Sequence, residues 1–179
     1  TYGVDHEEQA LSDASTDWSR DNTGIYLEAQ QRLGRGVMTA GWRHDDNDDF
    51  GEFDSWRVSG RSDLGGMAEG WAVRAAIGTG FRAPSLYEIA YNNGPFAYPP
   101  ASSASLLEEE SEGWEVAVLG AVGSLDIELI WFDQDIDNEI IFDLAAYSGY
   151  LQTQGTSHSK GIEMVASLPL SERWLIEGN

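Results

Sequence analysis

Apolar residues recur at every second position along much of the chain. Trp71, Val73, Ala75 and Ile77 are separated by Ala72, Arg74, Ala76 and Gly78, and Leu125, Ile127, Leu129 and Trp131 are separated first by Asp126 and Glu128. A period of two marks a strand with one apolar face. Runs of this kind fall at about residues 1–9, 22–33, 36–44, 54–63, 70–79, 112–121, 124–142, 150–168 and 173–179, while helical spacing is scarce. The pattern predicts an all-β, antiparallel up-and-down meander of about nine strands.

The connections add a second regularity. ALSDASTDWSRD, DDNDDFGEF, the stretch from Phe81 to Ser111 and the polar segment from Asp143 to Gly149 are long, and they alternate with the short LGRG, LGGMAE, VGS and PLSE. Successive turns of a meander fall on opposite ends, so the short turns share one end and the long loops the other. Transmembrane β-barrels show that asymmetry. Tryptophans follow it: Trp42, Trp56, Trp114 and Trp131 fall near the long-loop end, Trp71 and Trp174 near the short-turn end, each in phase with its strand's apolar face. Indole favours the boundary between hydrocarbon and water, and spanning barrels carry such residues at both boundaries. The opposite phase holds Thr39, Arg43, Arg57, Ser59, Arg61, Arg74, Glu115, Asp126, Glu128 and Glu163, groups suited to a wet or plugged lumen. Ile130 and Phe132 break this pattern, which implies a bulge or packing against something inside the barrel.

Charge narrows the partners. The formal net charge is -21, so a phosphate backbone is repelled and no nucleic-acid partner is expected. The content of 41% hydrophobic residues, with seven Trp and seven Tyr, is too high for a disordered acidic chain. The absence of cysteine excludes a disulfide scaffold and thiolate metal sites. No apolar run approaches the ~18 residues of a spanning helix. Both ends lie in strand-like runs, so the sequence reads as part of a longer chain.

Residues 78–89, GTGFRAPSLYEI, closely resemble the GxGFRAPSLYEL motif in the barrel domain of TonB-dependent outer-membrane receptors. Three further segments follow in the family's order. LLEEESEGWEV resembles L-x-P-E-x-S-x-x-W-E at Leu106, Glu109, Ser111, Trp114 and Glu115, with Glu108 in place of the usual proline. IELIWFDQDIDNEIIF resembles the family's aromatic-acidic strand at Phe132, Asp135, Ile136, Asn138 and Ile140. YLQTQGTSHSKGIEM resembles Y-x-N-x-G-x-x-x-x-x-G-x-E at Tyr150, Gly155, Gly161 and Glu163, with Thr153 where Asn is common. The resemblance spans nearly the whole chain and is nearest to the cobalamin and catecholate receptors. It implies a transmembrane barrel of about 22 strands around a separate N-terminal plug, of which residues 1–179 are part. It also implies residence in the bacterial outer membrane, contact with its lipid, and import of a siderophore or cobalamin powered through TonB acting on the plug. A porin or adhesin barrel without a plug, and a soluble carbohydrate-binding β-sandwich, share parts of the pattern and are the alternatives.

Candidate site residues lie in the long loops. Pro84 cannot donate to a sheet ladder and biases Ala83 toward an extended conformation, so GTGFRAPSLYEI ends a strand where an outer loop begins. Arg82 either contacts ligand there or only terminates the strand. Tyr87, Tyr91, Asn92, Phe96 and Tyr98 are candidates for gripping a large polar ligand; the other reading has these aromatics packing the loop on the barrel rim. Asp45, Asp46, Asp48 and Asp49 bring carboxylates together at a density that suits a structural calcium ion, without EF-hand spacing; a solvated acidic loop is the alternative. No other cofactor is expected. His6, His44 and His158 are scattered and no nucleophile-elbow setting occurs, so no catalytic residue is assigned and an enzyme is not expected.

Overall fold

The computed structural model describes residues 1–12 and 17–179. Its strands are β1 (Tyr2–Ser12), β2 (Asp17–Leu33), β3 (Gly36–Asn47), β4 (Gly51–Asp63), β5 (Ala72–Arg82), β6 (Glu109–Val122), β7 (Leu125–Asp137), β8 (Ile140–Phe142), β9 (Tyr150–Gln152), β10 (Thr156–Ser171) and β11 (Trp174–Gly178). Nine of them form one sheet in the order β1-β2-β3-β4-β5-β6-β7-β10-β11, and β8 pairs with β9 alone. Every pairing in the wall is antiparallel. The result is an up-and-down curved wall whose first and last strands do not meet.

Register assigns each residue to a face. Trp42 lies opposite Trp56, Val58 opposite Ile77, Ile77 opposite Trp114, Val116 opposite Trp131 and Trp131 opposite Ile162, so these side chains share the outward face. The Trp114 and Trp131 rings meet edge to face with centroids 5.5 Å apart. Trp174 and Ile176 follow the same phase at the other rim, and the Trp71 ring covers the outward side of Gly120. Both belts expected from the sequence are present. From Trp114 to Val122 the outward band runs about 26 Å along the strand, the scale of the ~25 Å apolar band of outer-membrane barrels.

The distribution of apolar side chains is the reverse of a water-soluble sandwich. Leu27, Trp131 and Ile162 are 57%, 58% and 71% exposed on the outward face, whereas the buried hydrophobic residues are mostly alanines on the concave face, Ala72, Ala76 and Ala117. A sandwich buries its large residues between sheets, and a contiguous exposed apolar face of this size needs a partner. The fold therefore removes the soluble alternative.

Several expectations are corrected. The acidic segment 45–53 is mostly ladder, since β3 continues to Asn47 and β4 resumes at Gly51, leaving a turn at residues 48–50. Asn47 Oδ1 accepts from the amides of Asp49 and Phe50, and Gly51 closes the turn at φ 83°. Likewise β1 reaches Ser12 and β2 starts at Asp17, so the first long connection shrinks; the centre of it lies outside the described residues. At the opposite end LGGMAE opens into residues 64–71, with a 3-10 turn at Gly66–Ala68 and glycines 66 and 70 at positive φ. Finally, the runs 124–142 and 150–168 each break in two, because Asn138 takes a positive φ and the chain leaves the wall to form the β8–β9 hairpin. The pairing of β7 with both neighbours runs without a shift, so no bulge explains Ile130 and Phe132. Both face the concave side, where a Cβ on Gly161 would lie 3.1 Å from the Phe132 ring.

Candidate functional site

At the top of β5 the chain turns over the concave face. Arg20, on that face by its pairing with Gln9, donates to the Pro84 carbonyl at 2.7 Å and lies 5.6 Å from the Phe50 ring centroid. Helix α1 (Leu86–Asn93) then packs against β1, crossing the mouth of the wall as a chord. Its start is fixed by a capping box: Ser85 accepts from the Glu88 amide at 3.2 Å, and Glu88 accepts from the Ser85 amide at 2.6 Å.

Arg82 is the hub beneath this helix. Its guanidinium makes a fork on Glu109, with bonds of 2.6 and 2.9 Å, and reaches Glu88 at 3.1 Å. Glu109 also accepts from the Ile140 amide at 2.6 Å, which ties the β8–β9 hairpin into the same junction. The Arg82 bond holds the Glu109 carboxyl below the usual glutamate range against the opposing effect of burial, and the Ile140 amide adds to the lowering. The two carboxylates raise the Arg82 guanidinium further above its ordinary value.

A second junction joins the two long loops. Asn92 is buried, and its amide bonds both backbone groups of Tyr150, donating at 2.8 Å and accepting at 2.8 Å, as a strand neighbour would. Gln152 bonds the Leu107 amide and carbonyl at 2.8 and 2.7 Å and the Asn138 carbonyl at 2.8 Å. The Tyr98 amide donates to the Ser148 carbonyl at 3.1 Å and its hydroxyl donates to the Ala146 carbonyl. Asp143, whose carboxyl is lowered chiefly by the Ala146 amide and then by the Ser148 hydroxyl, closes the hairpin turn.

Aromatic rings gather at this seam. Tyr91 meets Phe142 and Tyr150 at centroid distances of 5.6 and 5.7 Å, Phe142 meets Tyr150 at 5.2 Å, and Tyr87 and Tyr147 extend the cluster at 6.2 to 6.3 Å. Burial, with the neighbouring Tyr87, Glu88 and Tyr91, raises the Tyr150 phenol. Tyr87, Tyr91, Asn92 and Tyr98 are thus brought into one seam, while Phe96 stands 77% exposed beside it. Phe142, Tyr147 and Tyr150 belong to the same group and were not among the candidate ligand contacts; Phe142 and Tyr150 continue the alternation of the strands they adjoin, and Tyr147 lies in the connection between them.

The four aspartates separate. Asp45 faces the concave side, buried, bonded to Arg43 and Asn22. Asp46 lies opposite Glu52 on the outward face. Asp48 accepts from the Asp21 amide, and Asp49 belongs to the turn. Among the described residues no group of three or more His, Cys, Asp or Glu is placed to hold a metal ion.

Lower on the concave face lies a cavity of about 420 Å³ bordered by Arg57, Ala76, Glu115, Phe132 and Glu163. Gly78 and Gly113 are directly opposed on its floor, so no side chain fills it from there.

An apolar outward belt, a polar concave face and a folded cap over one mouth define a segment of an outer-membrane β-barrel wall. The chain belongs to the family described as TonB dependent receptor-like, beta-barrel, which it matches over residues 2–179. That family consists of transport receptors of the Gram-negative outer membrane, and this is the compartment of the chain. Among solved structures, the siderophore receptor PirA of Pseudomonas aeruginosa is similar with a TM-score of 0.79 and 22% identity, covering 98% of this chain and 34% of PirA. The ferric enterobactin receptor PfeA of the same organism, in complex with enterobactin, gives 0.73 and 19%, covering 96% and 31%. The FrpB iron transporter of Neisseria meningitidis gives 0.69 and 15%, covering 95% and 30%. The chain therefore spans about a third of the length of these proteins.

Proposed function

We propose that this wall segment serves a receptor that imports a large metal-bearing nutrient, a ferric siderophore or cobalamin, across the outer membrane. The observation that carries the reading is the interlocked cap: two loops from one rim, joined through Asn92 and Tyr150, hold an aromatic seam over the mouth. Aromatic and amide groups on a rigid frame suit capture of a large ligand from water. The outward belts meet membrane lipid. The concave cavity, with Glu115 and Glu163 at its border, offers a polar seat for a plug supplied by the longer protein. TonB, pulling on that plug, would supply the energy. This segment binds and positions; it performs no covalent step.

The test is uptake by cells carrying the intact receptor. Accumulation of radiolabelled ferric siderophore or cobalamin should require TonB, and excision of residues 86–103 should reduce it at least about tenfold while the barrel still assembles. TonB-independent passage of small solutes would instead identify an open pore.

A further inference from the structure

We infer that the cargo taken at this mouth is a metal chelate carrying no net negative charge, neutral or cationic, and not a polyanionic one. The inference deepens the import reading and rests on it. Segments 83–108 and 138–155, which build the cap, contain no Lys, Arg or His, but they carry Glu88, Glu108, Glu139 and Asp143. The guanidiniums directly beneath are already engaged. Arg82 is bonded to Glu88 and Glu109, Arg43 to Asp5 and Asp45, and the buried Arg20 to the Pro84 carbonyl and the Gln9 side chain. Lys160, opposite Asp133, has its side chain on the outward face. Arg57, on the concave face beside the Trp56 belt and 68% exposed, lies 3.7 Å from Glu115, and among the described residues no concave-face cation above that belt is unengaged.

Glu88 is bonded to Arg82 and Asp143 to its own turn, so the surface left for a ligand is tyrosine rings with Glu108 and Glu139 beside them. Tyr87 and Tyr147 end the seam, 57% and 63% exposed, and Leu144 and Phe96 stand 74% and 77% exposed beside it. Aromatic faces carry the negative end of the ring quadrupole, so they attract cations and disfavour anions. A polyanionic chelate would lose water here against like charge, with no donor cation to offset the loss. A neutral chelate can use the same rings as apolar contact and the phenols as hydrogen-bond donors. A chelate with a pendant ammonium gains attraction to ring faces and carboxylates.

The experiment measures binding of three ferric probes to the purified intact receptor: ferrioxamine B, a cationic trihydroxamate; ferrichrome, a neutral one; and enterobactin, a trianionic tricatecholate. The first two should bind at least about tenfold more tightly than the third. The double variant Leu144→Lys with Phe96→Lys should reduce that ratio about tenfold or more, whereas Leu144→Gln with Phe96→Gln, equally polar but uncharged, should leave it within about twofold. Equal or tighter binding of the trianion overturns the charge inference and leaves the import reading standing. An unchanged ratio in the lysine variant overturns the assignment of this cap as the surface that sets it. Retention of none of the probes, nor of cyanocobalamin, overturns the import reading itself and this inference with it.

Discussion

Arg82 shows how one residue ends a strand and begins a loop. Its bond to Glu109 continues the β5–β6 pairing by side chains where Pro84 ends it by backbone, and its bond to Glu88 anchors the capping box of α1. Arg82→Gln leaves two carboxylates facing each other, and opening of residues 85–93 should become easier by about 1 to 2 kcal/mol, the figure discounted for the partial exposure of the side chain. Hydrogen exchange of those amides in the intact receptor measures this, and unchanged protection would contradict the role. The same junction sets a pH dependence. Because Glu109 is held below its ordinary value in the folded protein, its contribution is fully present above about 4.3 and is lost as pH falls through the lowered value. Protection of the α1 amides should therefore be alike at pH 7 and pH 5 and fall on further acidification, and Arg82→Gln should flatten that profile. A loss centred near neutral pH would point to a different group.

At the scale of elements, α1 and the β8–β9 hairpin come from separate loops and are held as one body by Asn92. Asn92→Leu leaves the Tyr150 amide and carbonyl without partners, which should loosen the hairpin by about 2 to 4 kcal/mol. Faster exchange at residues 140–152, with the wall strands unchanged, would show the coupling; an unaltered hairpin would show that the rings alone hold it. These elements were the least legible in the sequence. Ser85 and Glu88 have capping-box spacing, which was a usable helix signal, but the segment carries too short an apolar period to read as a helix. Phe142 and Tyr150 preserve the alternation of the strands they adjoin, so the departure of β8 and β9 from the wall was invisible; it turns on the backbone of Asn138. The tops of β3 and β4 were hidden for another reason. Above the Trp42 belt both faces meet water or the mouth, so Asp45 and Asp46 take opposite sides without an apolar face to mark the strand.

Across the whole molecule the legible part was the membrane itself. Lipid on one side and a polar lumen on the other impose period two wherever the wall crosses the bilayer, so strand count, faces and both tryptophan belts followed from pattern alone. Among the described residues the sealed interior that a soluble protein requires is missing, and its place is taken by the outward band. This segment contains no cysteine, and in a cysteine-free form of the intact receptor single cysteines can be introduced one at a time from Ile162 to Ala166 and spin-labelled in its membrane. Labels at Ile162, Met164 and Ala166 should be accessible to a lipid-soluble quencher, and labels at Glu163 and Val165 should be shielded from it. Uniform accessibility along these residues, or alternation in the opposite phase, would contradict the outward assignment on which the barrel wall rests.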